Sequence, residues 1–448
     1  MRLAVNIVAT LLFSTVCYAQ TYDLVIKGGT VVDPSQSLAA IRDVGIKNGL
    51  VTAIETSIDP ELAGQVYDAT GKTVVPGLVN LHAHFTSSAW PSGTLGVNVD
   101  QIAAARGYTT MVSAGDAGWP NAVAFRTSQS AWTTRTYAFL NIGWRGMANG
   151  WEYDALPPNI AACSPSNAHR PDIEVCETAA VLMANWEFYI GLKVRLSAFL
   201  VGVLDTAPLQ KALDAAALAT SINGKQYRIM VHVGGLYSTS TIDTIVSMLR
   251  SGDIITHTYS EWANQNGVPT GFAQNASCAN HSAAAAVSKG IIIDLGGSSA
   301  PSFSGSANAF GPLSYIICGK IGISPDSLSA DEFGTGMPGL YSMADWASIL
   351  FGLNTGNNIS PTPPAAFTGP IQTALTLDDV VYKMTRGPAL ALGDRVPALL
   401  GTLQIGAPGD AAILNVQSGS FAYTLNPWTI TSPTKIEVVK TIKGGTLM

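Results

Sequence analysis

The stretch Val74-Val75-Pro76-Gly77-Leu78-Val79-Asn80-Leu81-His82-Ala83-His84-Phe85 decides how the rest of the chain is read. Its apolar run predicts one buried strand, and the strand ends in a His-x-His pair. Side chains alternate along a strand, so His82 and His84 face the same way. Two imidazoles on one side of a strand's carboxyl end can share a metal ion. Taken alone, the pair equally suits two polar residues closing a strand.

Outward from this stretch, apolar β-rich runs alternate with Ala/Leu-rich amphipathic stretches, the pattern of a (β/α) barrel. Further strands are predicted at 109–114, 137–143, 191–197, 228–234, 254–260, 291–296 and 327–331, and helices at 99–106, 209–221, 242–249, 282–289 and 342–350. With the first strand, these make an α/β chain carrying a (β/α)8 TIM barrel over residues 73–397. The connection from Trp144 to Asn185 exceeds the usual βα loop and reads as an ordered excursion beside the site. Both chain ends are β-rich instead. Residues 22–33 and 44–54 hold paired short runs, the second with an Asn48-Gly49 hairpin signal, and 401–414 and 436–443 return to the same character. A small discontinuous β-sandwich domain, from 20–72 and 398–448, is therefore expected.

Composition narrows the function. The chain has 448 residues, 47% hydrophobic and only 12% charged, enough for a large core. A net charge of −6 without basic clustering argues against nucleic acid as a partner. Residues 1–19 combine Arg2, an apolar run from Leu3 to Val16, and Cys17-Tyr18-Ala19, which together describe a cleavable signal peptide. The run is too short to span a bilayer, so no stable membrane anchor is expected. A secreted or periplasmic protein follows, acting on a small molecule; a homo-oligomer is left open.

Export also gives the cysteines a meaning. Beyond Cys17 there are Cys163, Cys176, Cys278 and Cys318, an even number that suggests two disulfides in an oxidising compartment. Cys163 with Cys176 closes a short loop, and Cys278 with Cys318 is the remainder.

Four of the six histidines fall at the same end of predicted strands: His82 and His84 on the first, His232 on the fifth and His257 on the sixth. Barrel active sites lie at that end. Core packing could account for one such histidine more easily than for four. His169 and His281 fall in loop or helix-start contexts and read as solvated. Lys193 lies in the apolar run Gly191-Leu192-Lys193-Val194-Arg195, where a charged ammonium is costly. Burial favours the neutral amine, which can add carbon dioxide to form an anionic carbamate. Asp331, in Ser327-Leu328-Ser329-Ala330-Asp331-Glu332-Phe333, closes the predicted eighth strand. Its competitor, Asp326, follows Pro325 as a turn residue would.

With these residues in view, the chain resembles the binuclear branch of the amidohydrolase superfamily over essentially its full mature length. The resemblance rests on Pro76-Gly77-Leu78 before His82-x-His84, Lys193, His232, His257, Asp331 and the Gly406–Ala411 stretch of Gly-x-Pro-Gly-Asp-Ala form. The context of Lys193 and the loop from Gly296 to Ser304 are most similar to the dihydroorotase-like deacetylase and esterase subgroup. Two positions depart from it. Phe333 stands where the subgroup's eighth-strand motif carries His, and Gly297 where its Gly-rich loop tends to carry His.

The resemblance implies a binuclear metal-dependent hydrolase. His82, His84 and Asp331 would hold one divalent ion, His232 and His257 the second, with carbamylated Lys193 bridging them. Imidazole-rich ligands suit Zn2+, without excluding other divalent ions. A hydroxide shared by the ions would attack the substrate carbonyl, with Asp331 as catalytic proton shuttle. No organic cofactor is implied. The expected reaction is cleavage of an amide C–N bond in an N-acyl amino acid or similar small amide. A small acyl ester or lactone is the alternative substrate, and a non-catalytic secreted binding protein on the same fold the alternative class. Trp90, Trp119, Trp144, Trp151 and Trp262 follow predicted strands and would either form an aromatic rim or pack loops together. Arg145 or Arg195 could meet a substrate carboxylate.

Overall fold

Both chain ends meet in one mixed sheet. In the computed structural model the described residues are 20–85, 96–144, 146–149, 174–197, 201, 204–233, 242–259, 281–297, 311–333, 341–425 and 427–448. From the N-terminal side come β1 (Tyr22–Asp33), β2 (Leu38–Lys47), β3 (Leu50–Glu55), β4 (Ala63–Asp68) and β5 (Thr73–Pro76). Asn48 and Gly49 turn the chain between β2 and β3 with φ of 52° and 75°, the left-handed pair a tight hairpin needs.

The His-x-His stretch is two strands rather than the single one expected. Gly77 separates β5 from β6 (Leu78–Ala83), and the two strands join different sheets. A side chain at Gly77 would meet Thr109 Oγ1 at 2.1 Å, so only glycine lets the chain pass there. β6 opens a seven-stranded parallel sheet with β7 (Tyr108–Ala114), β8 (Arg135–Asn141), β9 (Tyr189–Leu196), β10 (Arg228–Val233), β11 (Ile254–Thr256) and β12 (Ile292–Ile293), in sequential order. Parallel neighbours buried on both faces need continuous apolar runs, which these strands have; all seven residues of β7 are buried.

The eighth barrel strand is a correction. Among the described residues no strand is assigned at 327–331. Instead Ser327 bridges Asp294 beyond β12, and Glu332 bridges Ala83 on β6. Leu295 N donates to Ser327 O at 2.9 Å and His84 N to Glu332 O at 2.7 Å. The segment thus links the two edges of the sheet without becoming a regular strand. Asp331 has φ 49°, and that left-handed kink interrupts the extended geometry a ladder requires.

Helices cover the sheet between strands. Val99–Arg106 begins with the Asn98 side chain accepting from Gln101 N and ends at Gly107, whose φ is 79°. Ala207–Asn223, Ile242–Met248, His281–Lys289 and Met343–Leu353 fall where helices are expected. Glu174–Ala184 also forms a helix, at the far end of the long third connection; residues 150–173 of that connection lie outside the described residues.

After the helices the chain returns to the first sheet through β13 (Ile359–Ser360), β14 (Ala411–Leu425), β15 (Trp428–Lys443) and β16 (Thr446–Leu447). The order is β13-β15-β14-β5-β1-β2-β3, with β4 beside β1 and β16 beside β15. The expected sandwich is therefore a single nine-stranded sheet. β14 and β15 form a longer hairpin than the sequence suggests, because pairing carries residues 415–418 and 421–425 into the ladder. Leu24, Ile26, Val44, Val74, Ile413 and Ile442 build its own core.

Cys176 and Cys318 are each disulfide-bonded. The partners expected from sequence, Cys163 and Cys278, lie outside the described residues, as do residues 1–19. Among the described residues no helix is long and apolar enough to cross a membrane.

Candidate functional site

The predicted ligands converge at the carboxyl ends of the parallel strands. His82 lies one residue before the end of β6, with Nε2 3.2 Å from Asp331 Oδ1 and 3.3 Å from Lys193 Nζ. His84 follows on the same face, with Nε2 3.4 Å from the same carboxylate oxygen. One ligand atom each of His82, His257 and Asp331 lies within 4.8 Å of the others. His232 stands beside His257, their ring centroids 4.3 Å apart, and its Nε2 is 3.4 Å from Ser197 Oγ. All six predicted side chains are buried. Lys193 Nζ donates to Ala114 O at 3.2 Å. Asp326 is elsewhere, its Oδ2 accepting from Ile293 N, as a turn residue would.

The backbone is bent to present two of these groups. His257 and Asp331 have φ of 59° and 49°, a region that Asp and His enter more readily than most side chains but still at a cost. Neighbours hold both in place. His257 Nδ1–H donates to Gly296 O at 2.6 Å, and Glu332 N donates to His82 O at 3.3 Å. The Glu332 carboxylate is itself anchored by Arg106 Nη1 at 2.6 Å and Tyr108 OH at 2.6 Å.

Three imidazoles are oriented through Nδ1, which leaves Nε2 facing the cluster. His84 Nδ1 lies 2.6 Å from Asp116 Oδ1, His82 Nδ1 2.9 Å from Thr256 Oγ1, and His257 uses Gly296 O. Asp116 is fixed in turn by Phe85 N and Ser113 Oγ, each at 2.7 Å. Sequence reasoning did not single out Asp116, Thr256 or Asp294. A signal was present for Asp294, an acid inside Ile291-Ile292-Ile293-Asp294-Leu295, since an ionisable group in an apolar strand is what drew attention to Lys193.

Electrostatics divides the histidines. Burial holds His82 and His232 well below the ordinary imidazole value, with Lys193 beside the first and His257 beside the second adding to the effect. Burial likewise pushes His257 down to about 4, against the pull of Asp331. For His84 burial acts in the same direction but is outweighed by Asp116 and Asp331, which raise it to about 9. Burial opposes ionisation of Asp331, yet His82 and His84 hold its carboxyl below the usual range. His82, His232 and His257 are thus neutral imidazoles beside an anionic carboxylate, while His84 holds a proton that a bound cation would displace.

The donor set fits divalent metal. His257 Nε2 and Asp331 Oδ1 are buried with no hydrogen-bond partner among the described residues. Leaving such atoms unpaired is expensive, and a shared cation would satisfy both.

The two departures from the resembling subgroup have local explanations. A side chain at Gly297 would meet Trp346 Nε1 at 2.2 Å, and that indole instead donates to Gly297 O at 3.0 Å. The ring of Phe333 sits 6.4 Å from that of His84, edge to face. Of the proposed rim, Trp119 is half-buried and Trp144 exposed. Trp90, Trp151, Trp262, Arg145 and His169 lie outside the described residues. Arg195 Nε lies 3.4 Å from Ser197 Oγ, which makes it a strand-end neighbour of His232.

No family model matches the chain. A deacetylase of Brucella anthropi is 29% identical over 217 residues, 48% of this chain and 48% of its own length. The chain thus spans about half the length of that relative. A deacetylase of Enterococcus faecalis is 23% identical over 434 residues, 95% of this chain and 98% of the relative. A dihydroorotase of Trichlorobacter lovleyi is 36% identical over 89 residues, 20% of this chain and 21% of the relative. Among solved structures, an adenine deaminase and a dihydroorotase each superpose with a TM-score of 0.71 at 20% identity, covering 95% of this chain and 99% and 97% of theirs. The chain shares the fold of these two structures and is similar in sequence to proteins named deacetylase and dihydroorotase.

Proposed function

We propose that the chain is an exported metal-dependent hydrolase that cleaves the C–N bond of an N-acyl amino acid or similar small amide. The observation that carries this reading is the buried meeting of His82, His257 and Asp331 within 4.8 Å, with Lys193 3.3 Å from His82. Such a set of imidazoles around one carboxylate has no packing purpose that apolar residues would not serve better. Likeness to proteins named deacetylase supports an acyl substrate.

His82, His84 and Asp331 would hold one divalent ion, expected to be zinc, and His232 and His257 a second, with Lys193, as its carbamate, between them. When bound, such ions polarise a carbonyl and lower the pKa of water towards about 7. Asp331, with Oδ1 3.2 Å and 3.4 Å from His82 and His84 Nε2, would take the proton of the attacking water. It then returns that proton to the nitrogen as the C–N bond breaks. The Asp116 carboxylate, 2.6 Å from Nδ1, holds the His84 ring in its orientation. Export rests on residues 1–19.

The test is a screen of zinc-loaded protein against N-acyl amino acids, with matched acyl esters as the second arm. Amide turnover lost in Asp331→Asn supports the reading, and ester turnover alone would assign an esterase. No turnover of either by fully loaded protein would point to a binding protein. N-terminal sequencing of the mature chain, starting at Gln20, checks export.

A further inference from the structure

Asp294 follows β12 and is wholly buried, yet it touches none of the proposed metal ligands within hydrogen-bond distance; its Oδ2 is 4.0 Å from His82 Nδ1. That oxygen accepts from Thr256 Oγ1 at 2.7 Å and from Ser329 Oγ at 2.6 Å. Thr256 lies on β11 directly before His257, and Ser329 two residues before Asp331. One carboxylate therefore ties the segments that carry His257 and Asp331, and reaches His82 through a hydroxyl.

The hydroxyl decides a proton's position. A threonine has one O–H to give. Given to Asp294, it leaves Thr256 Oγ1 only an acceptor towards His82 Nδ1 at 2.9 Å. His82 must then carry its proton on Nδ1 and keep a lone pair on Nε2, the atom that faces Asp331 and Lys193. Without the carboxylate the hydroxyl can turn and donate to Nδ1, which moves the proton to Nε2 and blocks that lone pair. We propose that Asp294 is a positioning residue that fixes the tautomer of His82 through Thr256 and so prepares it as a ligand. For its consequence the inference rests on the metal-centre reading, whereas its geometry stands independently.

The experiment uses the full chain labelled with 15N-histidine. Long-range 15N–1H correlation spectra of the metal-free protein read the tautomer, and competition with a chromophoric chelator reads Zn2+ affinity. The wild type should show His82 protonated on Nδ1. Asp294→Leu and Thr256→Val should lose that single tautomer and bind Zn2+ about ten- to a hundredfold more weakly, while Thr256→Ser, which keeps the hydroxyl, should behave as wild type. Should Asp294→Leu fail to fold, the nearly isosteric Thr256→Val and its Ser counterpart carry the test. An unchanged Nδ1–H tautomer in Thr256→Val overturns the proposal, as does a changed tautomer with wild-type Zn2+ affinity. If the wild type binds no Zn2+ at all, the metal-centre reading fails, and the spectra still decide whether Thr256 and Asp294 set the tautomer.

Discussion

His84 Nδ1 lies 2.6 Å from Asp116 Oδ1, a direct carboxylate contact at Nδ1, where His82 has the Thr256 hydroxyl instead. A carboxylate behind an imidazole fixes the ring and raises its basicity as a ligand. Asp116→Asn should therefore weaken Zn2+ binding about ten- to a hundredfold while leaving the fold intact. Chelator competition on the variant and the wild type measures the ratio, and matched circular dichroism spectra verify the fold.

Gly115 offers a way to disturb Lys193 without substituting any ligand. A side chain there would meet Lys193 Cγ at 2.8 Å and Cβ at 2.9 Å, and the glycine has φ +97°. Gly115→Ala should strain the backbone and displace the lysine. The expected result is loss of metal from the site together with destabilisation of about 1–3 kcal/mol, read by metal analysis and urea titration.

Asp331→Asn keeps the shape of the side chain but removes its basicity. With Asp331 moving the proton, kcat should fall about a hundred- to ten-thousandfold with little change in KM. Steady-state kinetics on the preferred amide, at metal loading matched to wild type, measures this.

Much of this site was legible because its chemistry is written in residue type. Four histidines at the ends of three apolar runs and a lysine inside a fourth stand out without structural help. The division of the His-x-His stretch did not, since Val74-Val75-Pro76 and Leu78-Val79 are equally apolar, and only pairing with β1 and β14 separates β5 from β6. The eighth strand was overread, because Ser327-Leu328-Ser329-Ala330 suits extended backbone while the kink at Asp331 is set by contacts with both sheet edges. Asp116 and Asp294 went unnoticed because their partners, His84 and Thr256, are 32 and 38 residues away in the chain.

Stability has its own electrostatic hinge, away from the site. Asp410 is buried and accepts from Arg135 Nη1 at 2.7 Å, Lys443 Nζ at 3.0 Å and Gly444 N at 2.9 Å. Burial opposes its ionisation, but Arg135 and Lys443 prevail and lower its pKa below the usual carboxylate value. A carboxylate lowered on folding stabilises above its unfolded pKa, about 3.9. That contribution is lost as pH falls below this value towards the folded one. Asp410→Ala should cost about 3 kcal/mol at pH 7, since it strands two partly buried cations. The difference between variant and wild type should shrink in urea titrations under acid.

Metal content, measured together with 13C NMR after equilibration in 13C-bicarbonate, tests the central claim most directly. Protein prepared without chelator should hold about two divalent ions per chain and show a carbamate carbon that disappears in Lys193→Ala. A chain that takes up no divalent ion at any loading, with no carbamate signal, would contradict the hydrolase.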